Sequence, residues 1–574
     1  MDPIRYTIDL SGHRQHLVRV TLALPPDAER IVLPVWTPGS YVVRNYVHHV
    51  QQVSAADGSG AALSVRPDGL SAWLVPPDAA TFTLELYANE LTVRSNHVDD
   101  HHALLVGAAT FPFVEGARDR PHEVTVHAPD GWRVWSLLPG DGPFTATDHD
   151  HLVDSAFEAG SHPEKTFEVA GVPHRFVWAG HAGQPDLDRV ADDVRAVAEK
   201  AVELFEGDLP VDAYTFLCTA WDHGGGGLEH RDGSVLMVPA TTFSNPDRYR
   251  SFLELVTHEY LHLWNVKRLT PAELVAPDLE RPTHTPSLWV AEGWTAYYDD
   301  LLPLRAGAWG ARRHLDRAAE RWRSSLDTPG RKLQSVRQAS HDAWTRYYVR
   351  DENSPNATVN YYAHGANLAW CLDLLVRRCA PPTDGLDDVL RRLWDRFGRT
   401  GKGYTEADVE TAASEIAGTD LSWFFDAHVA GTEDPPLGEL LEVIGLELTV
   451  DADDADDPPP PHLGVHTEEN DEGVRFSTVL RDGPAWRGGV TGGDQLVAID
   501  RQRVARGELD AVLRQHSPGS RVELAVLRGP RLLLLPVTLG EPSQQPRISV
   551  TDDAPDLQRA MFERWAGCRI DDAA

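Results

Sequence analysis

Over residues 1–172 apolar and polar positions alternate in short runs. RYTIDL (5–10), HLVRVTLAL (16–24), RIVLPVW (30–36), FTLELYA (82–88), HEVTVHA (122–128), RVWSLL (133–138) and KTFEVAG (165–171) all follow this pattern. A period of two, broken by Asp, Gly and Pro turns at roughly ten-residue spacing, predicts half-buried strands in a β-sandwich-like domain. From residue 173 the period changes. FVWAG (176–180) and YTFLCTAW (214–221) read as strands, and residues 186–205 place apolar side chains at three- and four-residue steps, as an amphipathic helix does. A glycine run, Gly224 to Gly227, precedes SVLMV (234–238), a β run ended by Pro239, beside which a substrate could add a strand. Residues 246–426 are mainly helical in pattern, completing a domain over 173–448. DADDADDPPPP (451–461) can bury nothing, so a stiff acidic linker is expected over 449–461. Strand and helix patterns alternate again over 462–541, and the tail, 542–574, has no informative pattern. The fold class expected is multidomain α+β.

One stretch of the helical part carries chemistry. YRSFLELVTHEYLHLWNVKRL (249–269) is apolar almost all round, with Asn245-Pro246 as N-cap and first helical residue. A buried helix must account for its polar groups, and this one holds His258, Glu259 and His262 in an HExxH. Residues i and i+4 share a face, so both imidazoles can bind one tetrahedral metal while Glu259 reaches a water on it. The bland alternative is a pair of core histidines bonded to backbone. A third ligand separates the two readings: PSLWVAEGWTAYYDD (286–300) reads as a second apolar helix, opened by Thr285-Pro286, with Glu292 in its middle. His, His and Glu with one open position is the ligand set of a catalytic zinc site.

Composition narrows the partners. The chain has 574 residues, with 87 Asp and Glu against 53 Lys and Arg, a formal charge of −34. That excess opposes nucleic acid and anionic membrane surfaces and keeps the surface solvated. Cys218, Cys371, Cys379 and Cys568 have no metal or disulfide spacing, the start lacks a signal-peptide pattern, and no apolar run is long enough to span a membrane. A cytoplasmic location is the expectation. His97, His101 and His102 lie close to Asp99 and Asp100; a second metal site is conceivable there, and a polar, solvated loop is the alternative.

Several motifs, in order, resemble the glycyl aminopeptidase family: Trp36-TPGSYVVR, GGGGLEH (224–230), His258-EYLHLWNVKRL, Trp289-VAEGWTAYY and Tyr361-YAHG. PAWRGGVTGGDQLVAIDRQRV (484–504) resembles a PDZ segment. The resemblance implies gluzincin zinc peptidases with an N-terminal β domain, a thermolysin-like catalytic domain with a mainly helical second half and a C-terminal PDZ domain. The helical core also resembles the membrane-alanyl type of aminopeptidases. There a G-x-M-E-N segment holds the substrate amine and a Y-x-K-G tyrosine serves the transition state. Gly227-LEH and Tyr362-AHG are the counterparts, with His364 where Lys is usual.

The resemblance implies one zinc per chain on His258, His262 and Glu292, with Glu259 as general base. Tyr362, or its neighbour Tyr361, would be the oxyanion partner. Asp299, seven residues after Glu292, would hold a ligand histidine, or is an exposed helix-end acid. Glu229, with Gly227, would bind the free amine of a peptide substrate, or is an exposed Glu in a flexible Gly loop. Leu463, Gly464 and Val465 would form the loop that holds a peptide C-terminus; a purely structural PDZ domain is the alternative. The activity implied is zinc-dependent removal of N-terminal residues, small ones such as Gly and Ala. A zinc endopeptidase on the same core and a non-catalytic PDZ scaffold are the other readings. A scaffold has no need of Glu259.

Overall fold

Alternation in the first third of the chain becomes paired strands whose inward residues are apolar. The computed structural model describes residues 2–180, 185–222, 224–380, 385–451, 459–471, 473–543 and 545–573. They divide into two units, Met1–Thr285 with Tyr298–Ala308 and Leu390–Thr405, and Pro286–Tyr297 with Trp309–Val389 and Glu406–Ala574.

In the first unit, Ile4–Asp9 runs parallel to His122–His127 and antiparallel to Leu17–Ala23, which pairs with Ala79–Tyr87. These strands lie in a seven-stranded sheet. Ile4, Tyr6, Ile8, Val18, Val20, Leu22, Phe82, Leu84 and Leu86 are buried on its inner face. Two four-stranded sheets accompany it, one ordered Arg133–Ser136, Ala156–Gly160, His102–Val106, His97–Val98.

The strand pattern at 165–171 does not belong to this domain. Glu164–Val169 pairs with Val172–Gly180 through a two-residue turn, Ala170-Gly171, with φ of 50° and 79°. Two positive φ values give the turn that suits a tight hairpin, so the strand joins the next sheet. That sheet is ordered Glu164–Val169, Val172–Gly180, Tyr214–Trp221, Gly233–Pro239, Gly226–His230. SVLMV therefore has a neighbour on each side, and a substrate cannot add beside it. The edge strand is Gly226–His230, the GGLEH segment itself. Against this sheet lie the helices Leu187–Leu204, capped by Asp186, and Pro246–Leu261, capped by Asn245 Oδ1 accepting from the amides of Asp247 and Arg248.

In the second unit the helix expected from Thr285-Pro286 starts later and is interrupted. Ser287 precedes a single turn, Leu288–Ala291; Glu292 follows, and Gly293 opens the helix Gly293–Arg305. Gly293 and Gly365 face each other so closely that a Cβ on Gly293 would lie 2.7 Å from the Gly365 Cα. Only two glycines permit that backbone contact, and it locks the E-G-W segment to the start of the helix Ala363–Cys379.

Strand Leu446–Asp451 runs into the expected linker, and residues 452–458 of that linker lie outside the described residues. The PDZ sheet is ordered Val465–Asn470, Gly473–Val479, Gln495–Ile499, Arg521–Arg528, Arg531–Thr538, around a core that includes Phe476, Ile499, Leu524 and Val526. The side chain of Asn356 bonds the Val479 carbonyl at 2.8 Å and accepts from the Arg481 amide at 2.7 Å, fastening the PDZ domain to the helical part. The tail is ordered too: Gln545–Val550 pairs antiparallel with Leu446–Asp451, and the helix Asp556–Ala566 buries Phe562 and Trp565. Among the described residues no helix is long and apolar enough to cross a membrane.

Candidate metal centre

The HExxH ends its helix. His258 lies in the last turn of Pro246–Leu261 and His262 is the C-cap; their rings stand 4.7 Å apart at 85°. Each ring is oriented through Nδ1. His258 Nδ1 is 2.8 Å from Asp299 Oδ2, and His262 Nδ1 is 2.6 Å from the Asn265 carbonyl. A carbonyl only accepts, so His262 carries its proton on Nδ1 and presents a lone pair on Nε2, the form a metal requires. Asp299 is buried, not an exposed helix-end acid. Tyr260 lies elsewhere on the helix, its hydroxyl 2.9 Å from His174 Nε2.

Glu229 is no loop residue. It sits in the edge strand opposite Ser234 and is 3 % exposed. Ligand atoms of Glu229, Glu259 and His262 lie within 4.8 Å of one another. Two glycines make this crowding possible. A Cβ on Gly227 would lie 2.2 Å from Glu259 Oε1, and one on Gly39 would lie 2.4 Å from Glu229 Oε1. Gly39, at φ 89°, belongs to the Trp36-TPGSYVVR motif, so that motif of the first domain abuts the Glu229 carboxylate.

Lys267 lies in the N-V-K-R-L continuation, where nothing in the local pattern marks it as functional. Its buried Nζ is 2.8 Å from Asp154 and 3.9 Å from Glu229 Oε1. Burial pulls this ammonium down, but the charges of Asp154 and then Glu229 outweigh it and hold the group protonated.

In the second unit, Glu292 is buried at the junction of its two helices, and its carbonyl accepts from the Ala296 amide. Seven residues of helix, about 10 Å, separate it from Asp299. Tyr362 leads into the helix Ala363–Cys379 with its hydroxyl 3.2 Å from Tyr348 Oη; Tyr361 Oη is 3.1 Å from the same atom. Nothing in the sequence marks Tyr348, whose segment reads only as an aromatic run. Burial, and next the charge of Glu292, push the Tyr362 phenol well above its ordinary pKa, so it remains a proton donor at neutral pH.

Three family models match this chain: the peptidase M61 N-terminal domain over residues 5–161, the M61 glycyl aminopeptidase over 251–368, and a PDZ domain over 461–539. The N-terminal and HExxH-bearing regions are thus similar to those of M61 glycyl aminopeptidases. The model that matches the HExxH region describes an aminopeptidase. Among solved structures, an aminopeptidase N family protein from Idiomarina loihiensis is similar with 29 % identity and a TM-score of 0.92, over 98 % of this chain and 100 % of that one. An M1 zinc metallopeptidase from Deinococcus radiodurans aligns with 16 % identity and a TM-score of 0.46, over 76 % of this chain and 94 % of that one. No curated protein matches.

Two further groups complete the picture. In the PDZ domain, Leu463 is 2 % exposed and belongs to the core, so its side chain is not offered to a ligand. Gly464 takes φ 70°, and its carbonyl accepts from the Leu480 amide. A groove of about 850 Å3 runs past Gly464, Val465, His466, Leu509 and Leu513, along the edge strand Val465–Asn470. In the first domain, the histidine segment 97–102 is not a solvated loop. His97 and His102 are buried, and only Asp100 and His101 face water.

Proposed function

We propose that this protein is a zinc aminopeptidase that removes small N-terminal residues, glycine and alanine foremost, from peptides with a free amine. One zinc per chain would be held by His258, His262 and Glu292, residue types whose donors suit that ion. The preference for small residues follows the family's description.

The observation that carries the reading is the position of Glu229. The amine nitrogen and carbonyl carbon of one residue are about 2.5 Å apart. A group that holds the amine must therefore stand next to the groups that act on the carbonyl. Glu229 does so, buried within 4.8 Å of Glu259 and His262 at the ligand atoms. In that desolvated place an ammonium is bound strongly and an acylated nitrogen is not.

Zinc held by these residues would supply Lewis acidity to a carbonyl oxygen and acidify a water. Glu259 takes the proton from the attacking water and passes it to the leaving amine. Tyr362, protonated at neutral pH, donates to the oxyanion as it develops. Asp299 and the Asn265 carbonyl keep the two imidazoles in register. At the PDZ groove, the exposed edge strand supports binding of a peptide C-terminus by strand addition.

The test compares free and N-acetylated peptides and the Glu229→Gln variant. The wild-type enzyme should trim Gly- and Ala-peptides and leave acetylated ones. Glu229→Gln should raise KM and lower kcat for free-amine peptides only. Internal cleavage of acetylated peptides at the rate of free ones would make the enzyme an endopeptidase and assign Glu229 another role.

A further inference from the structure

The first domain holds a second constellation of imidazoles and carboxylates. His102 begins the strand His102–Val106, which pairs antiparallel with Ala156–Gly160 in the register His102↔Gly160 and Leu104↔Glu158. In that register His102 and Glu158 project from the same face of the strand pair. Both are buried, at 2 % and 1 % exposure. His162, two residues beyond the second strand, folds back over the pair.

Glu158 Oε1 is 2.9 Å from His102 Nδ1 and 2.9 Å from His162 Nε2. Its other oxygen, Oε2, has no hydrogen bond among the described residues. A buried carboxylate with half its accepting capacity unused is costly unless a cation compensates it.

The backbone makes room for this cluster. Gly160 lies opposite His102, and a Cβ there would come 2.3 Å from His162 Nε2. Gly160 is not in a positive-φ conformation. Glycine is required here for the space it leaves to an imidazole. Trp135, paired with Glu158 across the next strand, stacks on the His162 ring at 5.4 Å and 26°. Asp99 Oδ1 accepts from the His102 amide at 3.0 Å, and Asp99 Oδ2 is 3.3 Å from His97 Nε2. The His162 ring is thus held by Trp135, and the His102 ring packs on His97 at 5.2 Å, packing that keeps both imidazoles in place. A cavity of about 140 Å3, lined by His101, His102, His162, Thr219 and Trp221, adjoins the cluster and offers an entry path.

We propose that His102, Glu158 and His162 bind a second divalent transition-metal ion such as zinc, distinct from the catalytic one. Donors at zinc distances of about 2.0–2.2 Å around a tetrahedron stand about 3.4 Å apart. The two nitrogen–oxygen separations, 2.9 Å each, need widen by about half an ångström, and one ligand atom from each of the three residues already lies within 4.8 Å of the others. The ion takes the place of the N–H groups that now point at Glu158 Oε1: each neutral ring shifts its proton through solvent to its other nitrogen, a cationic ring releases one proton to water, and a fourth position is left toward the cavity. By joining the strand pair to the segment after it, it stabilises the first domain.

The experiment is a metal titration of the full chain. Apo-enzyme is prepared with chelator and titrated with Co2+ and, separately, Zn2+, with bound metal and the Co2+ absorption spectrum recorded. Wild type should take up two equivalents. His162→Ala, at the rim of the cluster, and Gly160→Ala, which displaces the His162 ring, should each weaken one equivalent at least tenfold while peptidase activity persists. His258→Ala should lose the other equivalent and the activity. Glu158→Gln should behave as His162→Ala; if it does not fold, the two rim variants decide. A single equivalent in wild type, lost in His258→Ala, overturns the proposal and leaves a hydrogen-bonded imidazole–carboxylate relay only. Two equivalents unaffected by His162→Ala and Gly160→Ala overturn it as well.

Discussion

Asp299 Oδ2 accepts a hydrogen bond from His258 Nδ1 at 2.8 Å, and both groups are largely withdrawn from water. The acid comes from the helix Gly293–Arg305, seven residues after Glu292, so one helical run supplies both a proposed zinc ligand and the anchor of another. Removing such an anchor costs metal affinity about 10- to 100-fold. Asp299→Ala should therefore lose zinc to a competing chelator at concentrations that leave wild type loaded, and activity should return when zinc is added in excess. Unchanged affinity would mean that the bond serves folding alone.

Tyr362 and Tyr348 share a hydroxyl contact, so their variants separate donor from holder. Loss of an oxyanion donor typically costs a hundredfold or more in kcat. Tyr362→Phe should fall by about that factor with KM little changed, since the interaction is made in the transition state. Tyr348→Phe, which only orients the phenol, should lose less. The reverse order in steady-state kinetics would make Tyr348 the donor.

Much of this centre is legible in the chain itself, and the reasons differ from residue to residue. The HExxH helix announces itself because Asn245-Pro246 is a local capping signal and the apolar pattern is helical, both independent of tertiary context. Glu229 is harder. A glycine run reads as a flexible loop, yet Gly227 and Gly39 are glycines because carboxylates occupy the space where a Cβ would be. The same holds for Gly293 and Gly365, which read as helix breakers and serve as a backbone crossing. Edge and interior strands cannot be distinguished by alternation, so the neighbours of SVLMV were invisible. The tail lacks a legible pattern because its apolar residues match a surface created by distant helices.

Stability should respond to pH through His174. Its Nδ1 is 2.9 Å from the Val172 carbonyl and its Nε2 is 2.9 Å from the Tyr260 hydroxyl. Burial pushes its pKa from 6.5 down to about 4. Between those values the unfolded chain binds a proton that the folded chain refuses, so stability falls as pH drops from about 6.5 to 4 and this contribution is constant below. The loss is about 3 kcal/mol at 1.36 kcal/mol per unit. In chemical unfolding, the destabilisation caused by His174→Gln should be largest near pH 7 and shrink by about that amount by pH 4. A penalty independent of pH would show that the folded protein accepts the proton.

The tail should prove to be part of the catalytic core. Trp565 is fully buried, stacks on Trp370 at 5.8 Å and 10°, and donates from Nε1 to Tyr297 Oη at 2.7 Å. Tyr297 in turn donates to Asp373 Oδ2 at 2.8 Å, and Asp373 Oδ1 accepts from Arg377 and the Leu386 amide. Trp565 thus closes a buried polar network on the helix that begins beside Glu292. Truncation to alanine leaves both a cavity and a hydroxyl short of one partner, which together cost about 3–5 kcal/mol. Trp565→Phe keeps the stacking and loses the single N–H, which costs about 1–2 kcal/mol. Chemical unfolding of the two variants should give that order, and Trp565→Ala should also lower kcat, because the helix that carries Glu292 and Asp299 loses its support. If a chain ended at residue 542 is as stable and as active as the full chain, Trp565 merely covers a surface that needs no cover.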